Sequence, residues 1–136
     1  MPVRSAPFDV EPLHQANYII VPDEAPACAC GANGTVWVSR DRGAKWAPAK
    51  SSGTVSDLYG CLFVDNLRGW ACGERGVVIA TTDGGVRWTK QASPTTDELH
   101  AVTFSDAHRG VITGARGTTL STNDGGETWV LVEAVD

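Results

Sequence analysis

Short runs of alternating apolar and polar residues, separated by turn residues, recur at a regular spacing in this chain. The last third shows the pattern most clearly, at 99–105, 110–114, 118–121 and 128–134. These runs are rich in Val, Thr, Ile, Leu and Trp, which favour strands. No segment has the period of a helix with capping residues. The pattern therefore predicts four short strands in this stretch and an all-β protein.

The same arrangement occurs three times. Segments 39–46, 81–88 and 122–129 each contain an Asp, a Gly two residues later and a Trp five residues after the Asp. The three Trp residues, Trp46, Trp88 and Trp129, lie 42 and 41 positions apart. A fixed period of this size indicates a repeat architecture. We predict one domain over 16–136, with repeats at about 16–50, 58–91 and 99–135, after an N-terminal extension at 1–15.

Each of these segments has the chemistry of a tight turn between the third and fourth strands of a repeat. Gly tolerates positive φ, the Asp carboxylate can accept backbone N–H groups, and a Ser or Thr two residues earlier adds a hydroxyl. The Trp then buries a large apolar surface. We therefore expect structural roles for Asp41, Gly43, Trp46, Asp83, Gly85, Trp88, Asp124, Gly126 and Trp129.

The pattern Ser/Thr-x-Asp-x-Gly-x-x-Trp resembles the Asp-box, also called the bacterial neuraminidase repeat. The wider frame from Arg68 to Trp88 is most similar to repeats of the photosystem II stability and assembly factor type of propeller. The resemblance implies four-stranded blades arranged as a β-propeller. The Gly-His and Trp-Asp signatures of a WD-repeat blade are absent from the sequence.

Three blades are fewer than the four to eight that typically close a propeller. Segments 70–72 and 111–113 are apolar on both faces, which calls for cover on both sides, and the sequence shows no polar cap on the end repeats. We therefore predict a homodimer that completes a six-bladed ring through a large apolar interface. In the alternative, a monomer folds 1–15 over one exposed face through Phe8, Val10 and Leu13.

The length and charge of the chain limit the classes of partner that it is expected to bind. Its 136 residues suit one domain, and its formal net charge of −5 disfavours duplex nucleic acid. No apolar run is long enough to span a membrane, so we expect no membrane partner. Residues 1–10 lack a basic segment followed by an apolar one, which leads us to expect a cytoplasmic protein.

Four cysteines, Cys28, Cys30, Cys61 and Cys72, lie in the first two repeats. Their spacing fits no zinc motif, and we expect small buried side chains with free thiols, as in a reducing compartment. A disulfide or a metal site is the alternative. We expect no cofactor and no metal.

The Asp-box resemblance raises the possibility of a sialidase-like enzyme. Such sites are built from an Arg cluster, a Tyr–Glu pair and an acid/base Asp, usually with an Arg-Ile-Pro motif that this chain lacks. Its two tyrosines, Tyr18 and Tyr59, have no repeat-phased Glu beside them, and His14, His100 and His108 form no cluster. We therefore predict no catalytic residues and no enzymatic activity.

The best candidates for binding are Arg75 and Arg116, with Asn33 at the equivalent position of the first repeat. In a propeller, the hairpin between strands two and three shares a face with the links between blades, here 48–57 and 91–98, and that face opens onto the channel. Guanidinium groups suit carboxylates, and propellers of the similar type carry an Arg patch for protein binding. The alternative is that these arginines are solvated or pair with Glu74, Asp97 or Glu98.

The function we expect is therefore a non-enzymatic scaffold that recognises a protein or peptide with acidic groups at the channel mouth. The alternative is a carbohydrate-binding or glycan-processing module, which would use Trp37 and Trp70 if their rings were exposed. A third possibility is a unit with no defined ligand.

Overall fold

The computed structural model describes residues 25–132. The predictions for the N-terminal extension, for the start of the first repeat and for 133–136 lie outside these residues, as do Tyr18 and His14. The described residues contain strands and three short turns of 3-10 helix. No helix among them is long and apolar enough to cross a membrane.

The strands form three antiparallel sheets, each following the order of the chain. The first sheet contains β1 (Ala27–Cys30), β2 (Val36–Ser39) and β3 (Ala47–Pro48). The second contains β4 (Leu58–Phe63), β5 (Gly69–Gly73), β6 (Val78–Thr81) and β7 (Thr89–Lys90). The third contains β8 (Leu99–Phe104), β9 (Gly110–Gly114), β10 (Thr119–Thr122) and β11 (Val130–Val132). Two complete repeats therefore have the four strands that the sequence predicts.

The second sheet is the centre of the described structure, because both of its faces are buried. Alternation along β4 and β5 sends Phe63 and Ala71 towards the first sheet, and Leu62 and Trp70 towards the third. Every residue of β5 is consequently buried. The prediction that segment 70–72 needs cover on both sides agrees with this arrangement.

The third sheet has a buried face and an exposed one. Its buried face carries Val102, Ile112 and Leu120, which pack against the second sheet. The strand register places hydroxyl side chains on the other face, at Thr103, Thr113, Thr119 and Ser121, beside Val111. The same face also carries three exposed valines, Val111, Val130 and Val132, so it mixes hydroxyl and apolar side chains, and the expectation that the end repeats lack a polar cap stays a prediction.

The loops divide into two groups at opposite ends of the sheets, as an antiparallel meander requires. One end, the Asp-turn end, carries the segments 39–46, 81–88 and 122–129, which we call Asp turns, and the loops between first and second strands. Backbone bonds such as Gly84 N–H to the Leu67 carbonyl, at 3.0 Å, join these loops within a sheet. The other end, the link end, carries the short 3-10 turns and the links between sheets.

Candidate functional site

The link end presents one residue of each repeat in an unusual backbone conformation. Asn33, Arg75 and Arg116 lie at the centres of the 3-10 turns, with φ of 60°, 57° and 59°. Left-handed φ is uncommon outside glycine, and Asn tolerates it better than Arg. The sequence expectation that these residues occupy equivalent hairpins therefore agrees with the structure, which also fixes their backbones in one shared conformation.

The three residues differ in their partners. Arg116 donates to a carboxylate oxygen of Asp97, whose other oxygen accepts the Thr118 hydroxyl at 2.5 Å. The Thr118 hydroxyl, followed by Arg116, lowers the pKa of Asp97. The backbone N–H of Asn33 donates to Asp57 at 2.9 Å. The exposed Arg75 side chain has no hydrogen-bonding or ion-pair partner within residues 25–132.

The links between sheets repeat the same local turns. The Ser52 hydroxyl donates to the Thr54 carbonyl at 2.9 Å, and Ser93 does the same to Thr95 at 3.1 Å. The Thr54 and Thr95 hydroxyls then each accept a backbone N–H two residues further on, at 3.0 Å. Side-chain hydroxyls thus organise both links, and the links form a defined surface beside the hairpins.

The link end carries more carboxylates than arginines. Arg75 and Arg116 share it with Asp57, Glu74, Asp97 and Glu98. Burial raises the pKa of Tyr59, and the charges of Glu98, Glu74 and Asp57 raise it further. The residues at the link end therefore do not form a surface dominated by arginines. Asp97 pairs with Arg116, and the other nearby carboxylates offset the remaining positive charge.

At the opposite end, each Asp turn is held by its own carboxylate. Asp83 Oδ1 accepts the Thr81 hydroxyl at 2.8 Å and the backbone N–H of Arg87 at 3.0 Å. The Arg87 N–H is the main cause of the lowered pKa of Asp83, and the Thr81 hydroxyl adds to it. Asp41 and Asp124 accept equivalent bonds. The structure thus places these carboxylates in turn-forming roles.

Sequence reasoning missed the grooves at the Asp-turn end, two of which occupy equivalent places in consecutive repeats. The first interblade groove lies between the first and second sheets, has a volume of about 550 Å³, and is lined by residues that include Arg40, Lys45, Trp46, Pro48, Lys50 and Val86. The second interblade groove, of about 390 Å³, lies between the second and third sheets and includes Arg87, Gln91 and Glu127. The available signal was the concentration of basic residues in the first Asp turn.

The four cysteines form no disulfide bond within residues 25–132, and all are buried. Cys28, Cys30 and Cys61 belong to the core between the first and second sheets, whereas Cys72 faces the third sheet. A hydrogen bond with Cys61, together with burial, raises the pKa of Cys30 well above its usual value. Within residues 25–132, no cluster of three or more His, Cys, Asp or Glu side chains is arranged to hold a metal ion.

Trp70 does not have the exposed ring that sugar stacking requires. Its side chain is 3% exposed, its ring stacks on Phe104 with centroids 4.4 Å apart, and its indole N–H donates to the Gly126 carbonyl. The ring therefore packs between the second and third sheets and cannot receive a sugar. Trp37 is half-buried.

Three antiparallel sheets stacked face to face in chain order are typical of β-propeller blades. Comparison with solved structures supports this class. The chain is similar to "YCF48 bound to D1 peptide", with a TM-score of 0.66 and 23% identity over 86% of this chain and 39% of that one. It is also similar to "YCF48 from Cyanidioschyzon merolae", with a TM-score of 0.65 and 21% identity over 85% and 38% of the two chains.

The chain thus spans about two fifths of the length of these neighbours. At this identity the likeness shows the fold alone, and it confirms the predicted all-β propeller type. No protein-family model matches the chain. No curated protein matches it either. The Asp-box identity of the three turns stays a prediction.

Proposed function

We propose that this chain is a non-enzymatic β-propeller scaffold that binds a protein segment or peptide at its link end. The observation that carries the proposal is Arg75, an exposed arginine in a left-handed conformation with no polar partner within residues 25–132. Strained backbone positions cluster at ligand sites. One structural neighbour is described as bound to a peptide, which supports the same kind of ligand for this chain.

Arg75 supplies a planar group of donors that matches a carboxylate. Arg116 can join it, because its pair with Asp97 is exposed, at 76% for the arginine side chain, and exposed pairs are weak. A ligand carboxylate can then take the place of Asp97. Asn33 adds an amide at the equivalent position of the first sheet.

The neighbouring acids narrow the ligand. Asp57, Glu74, Asp97 and Glu98 would repel a strongly acidic segment approaching the two arginines. A segment with one carboxylate, such as a peptide C-terminus, pairs with Arg75 and avoids most of that repulsion. We therefore propose a peptide with a free terminal carboxylate as the ligand.

An array of random decapeptides with free C-termini, printed beside amidated copies, tests this proposal. We expect the intact protein to bind free C-termini preferentially. Peptides selected in this way should bind the Arg75→Ala/Arg116→Ala variant about tenfold more weakly. The control variant Arg87→Ala/Arg109→Ala removes two exposed arginines at the opposite end and should bind normally. Equal binding by both variants, or no preference for free C-termini, would discard the proposal.

We also propose that two copies of the chain complete a six-bladed ring. The two interfaces between sheets use the same parts: Trp88 lies in the core between the first and second sheets, and Trp129 in the core between the second and third. Trp46 occupies the equivalent position in the first sheet, where its ring is already buried at 9% exposed, and this sheet would face the third sheet of a second copy. That third sheet presents Val111, Val130 and Val132 among hydroxyl side chains, so the interface would combine apolar and polar contacts.

Light scattering on the purified protein tests the ring. We expect the mass of two chains at micromolar concentration. Val111→Glu places a charge on the outward face of the third sheet and should give single chains, whereas Val55→Glu, at an 83% exposed link residue, should not. A single-chain mass for the unmodified protein, or a dimer unaffected by Val111→Glu, would rule out this ring.

A further inference from the structure

The first and second interblade grooves are the same place in consecutive repeats, so each serves as a reference for the other. Both run between an Asp turn and the last two strands of the preceding sheet, β2 and β3 for the first groove and β6 and β7 for the second. The first has the larger volume, about 550 Å³ against about 390 Å³. Substitutions at a few equivalent positions account for this difference.

In the second groove, two long side chains from the second sheet occupy the space. The Trp70 indole and the Gln91 amide both donate to the Gly126 carbonyl, at 3.1 and 2.7 Å. At the equivalent positions the first sheet has the smaller residues Cys28 and Ala49, neither of which lines the first groove. The first groove therefore has no counterpart of these two long side chains.

The charges of the two grooves also differ. Three cations, Arg40, Lys45 and Lys50, line the first groove with one carboxylate, Asp41. Asp41 is engaged within its own turn, where it accepts the Lys45 backbone N–H at 2.8 Å. The second groove balances two arginines, at 68 and 87, against two carboxylates, at 83 and 127. The first groove is therefore a basic site in a chain whose net charge is −5.

The first Asp turn carries a further cation in a strained conformation. Arg42 has a φ of 62°, where the other two turns have Gly84 and Gly125 at 79° and 75°. A left-handed conformation is unfavourable for a non-glycine residue. Such strain is typical of ligand-binding turns. The Arg42 side chain also adds a positive charge to the turn that borders the groove.

Apolar surface and fixed donors complete the site. Trp46, Pro48 and Val86 contribute apolar lining. Arg40 donates one N–H to the Gly84 carbonyl at 2.8 Å, which orients its guanidinium and leaves other donors for a ligand. The volume lies in the range of about 300–1,000 Å³ that is usual for ligand pockets.

We propose that the first interblade groove is a second binding site, which takes an acidic segment of another protein. An apolar side chain of that segment contacts Trp46 and Val86, while its carboxylates pair with Arg40 and the two lysines. The mixture of apolar surface and cations favours a peptide over a small inorganic anion. Nucleic acid fits less well, because phosphate backbones need an extended basic surface that this acidic chain does not offer.

Fluorescence polarisation with a labelled dodecapeptide of alternating Glu and Leu tests the proposal, with Gln in place of Glu as the control peptide. We expect the Glu peptide to bind and the Gln peptide to bind at least about tenfold more weakly. The variant Lys45→Gln/Lys50→Gln should bind the Glu peptide about tenfold more weakly. The control variant Arg87→Gln/Lys90→Gln removes two cations near the second groove and should change the affinity for this peptide less than about twofold.

A third variant tests the apolar surface and the charge together. Val86 is 38% exposed, and Val86→Glu introduces the carboxylate that Glu127 provides in the second groove. We expect this variant to fold and to show no binding of the Glu peptide. Equal binding of the two peptides, or equal losses in the groove and control variants, would overturn the proposal. Preferential binding of an oligothymidylate over the Glu peptide would overturn it in favour of nucleic acid.

The two proposed sites can be told apart, because they lie at opposite ends of the sheets. The Arg75→Ala/Arg116→Ala variant should bind the Glu peptide normally, and Lys45→Gln/Lys50→Gln should bind the peptides selected for the link end normally. Loss of Glu-peptide binding in the Arg75→Ala/Arg116→Ala variant would assign that peptide to the link end and overturn the second site.

Discussion

Replacing Gly126 with Ala tests the packing of the third sheet on the second at a single atom. Gly126 has a φ of +84°, and a Cβ there would lie 2.2 Å from Cζ2 of Trp70. The indole has little room to yield, because it is 3% exposed and stacks on Phe104 with centroids 4.4 Å apart. Its N–H also donates to the carbonyl of Gly126 itself.

Two effects set the size of the loss. A left-handed conformation costs alanine about 1–2 kcal/mol, and overpacking of a filled core costs about 1–3 kcal/mol more. We therefore expect Gly126→Ala to lower the free energy of unfolding by about 2–5 kcal/mol, a large share of the 5–15 kcal/mol typical of a domain. Gly117→Ala is the matched control: its φ is +77°, and its Cβ meets nothing within 4 Å. It should lose only the conformational part, about 1–2 kcal/mol.

Urea unfolding followed by far-ultraviolet circular dichroism measures both losses, with the free energy of unfolding taken by linear extrapolation. We expect Gly126→Ala to be the less stable variant by about 1–3 kcal/mol. Equal stability of the two variants would show that the Trp70 ring does not lie against Gly126. The packing of the two sheets would then need revision.

Three further predictions follow from the turns and the core. Hydrogen bonds lower the pKa of Asp83 and Asp124, so the two carboxylates stabilise the fold fully above the pKa of an unfolded Asp, about 3.9, and this stabilisation is lost as the pH falls through the folded pKa. Urea unfolding between pH 5 and pH 2 should show a shallower pH dependence for Asp83→Asn, and an unchanged dependence would contradict these bonds. The four buried thiols should resist iodoacetamide in the folded protein and react together in urea, and rapid labelling of any one would contradict its burial. In urea unfolding, Trp88→Phe should lower the free energy of unfolding by about 1 kcal/mol and Trp88→Ala by about 3–5 kcal/mol, because only the phenylalanine keeps the ring contact with Phe63. Equal losses in the two variants would refute that contact.

Local patterns in the sequence predict the sheets well. The runs at 99–105 and 110–114 correspond to Leu99–Phe104 and Gly110–Gly114. The last strand begins at Val130, two residues later than in the predicted 128–134, because the Trp129 ring turns into the core, and the predicted residues 133–134 lie outside the described ones. Strand alternation and turn residues are local signals, which explains why a single sequence reveals them.

The features of the candidate sites depend on distant residues. Arg116 meets Asp97 across 19 positions, a pair that the sequence offered only as one of several alternatives. Trp70 meets Gly126 across 56 positions, and no local pattern specifies that contact. The first interblade groove could not be predicted from the sequence either. Its greater volume is explained only when Ala49 is compared with Gln91, whose side chain contacts the next sheet.

Proton–proton contacts of the Trp70 indole in a nuclear Overhauser spectrum test the central claim most directly, namely that consecutive repeats stack as propeller sheets. The account predicts strong cross-peaks from the Trp70 ring in the second sheet to the Phe104 ring and to Gly126, both in the third repeat. Cross-peaks confined to residues of its own sheet would contradict the stack.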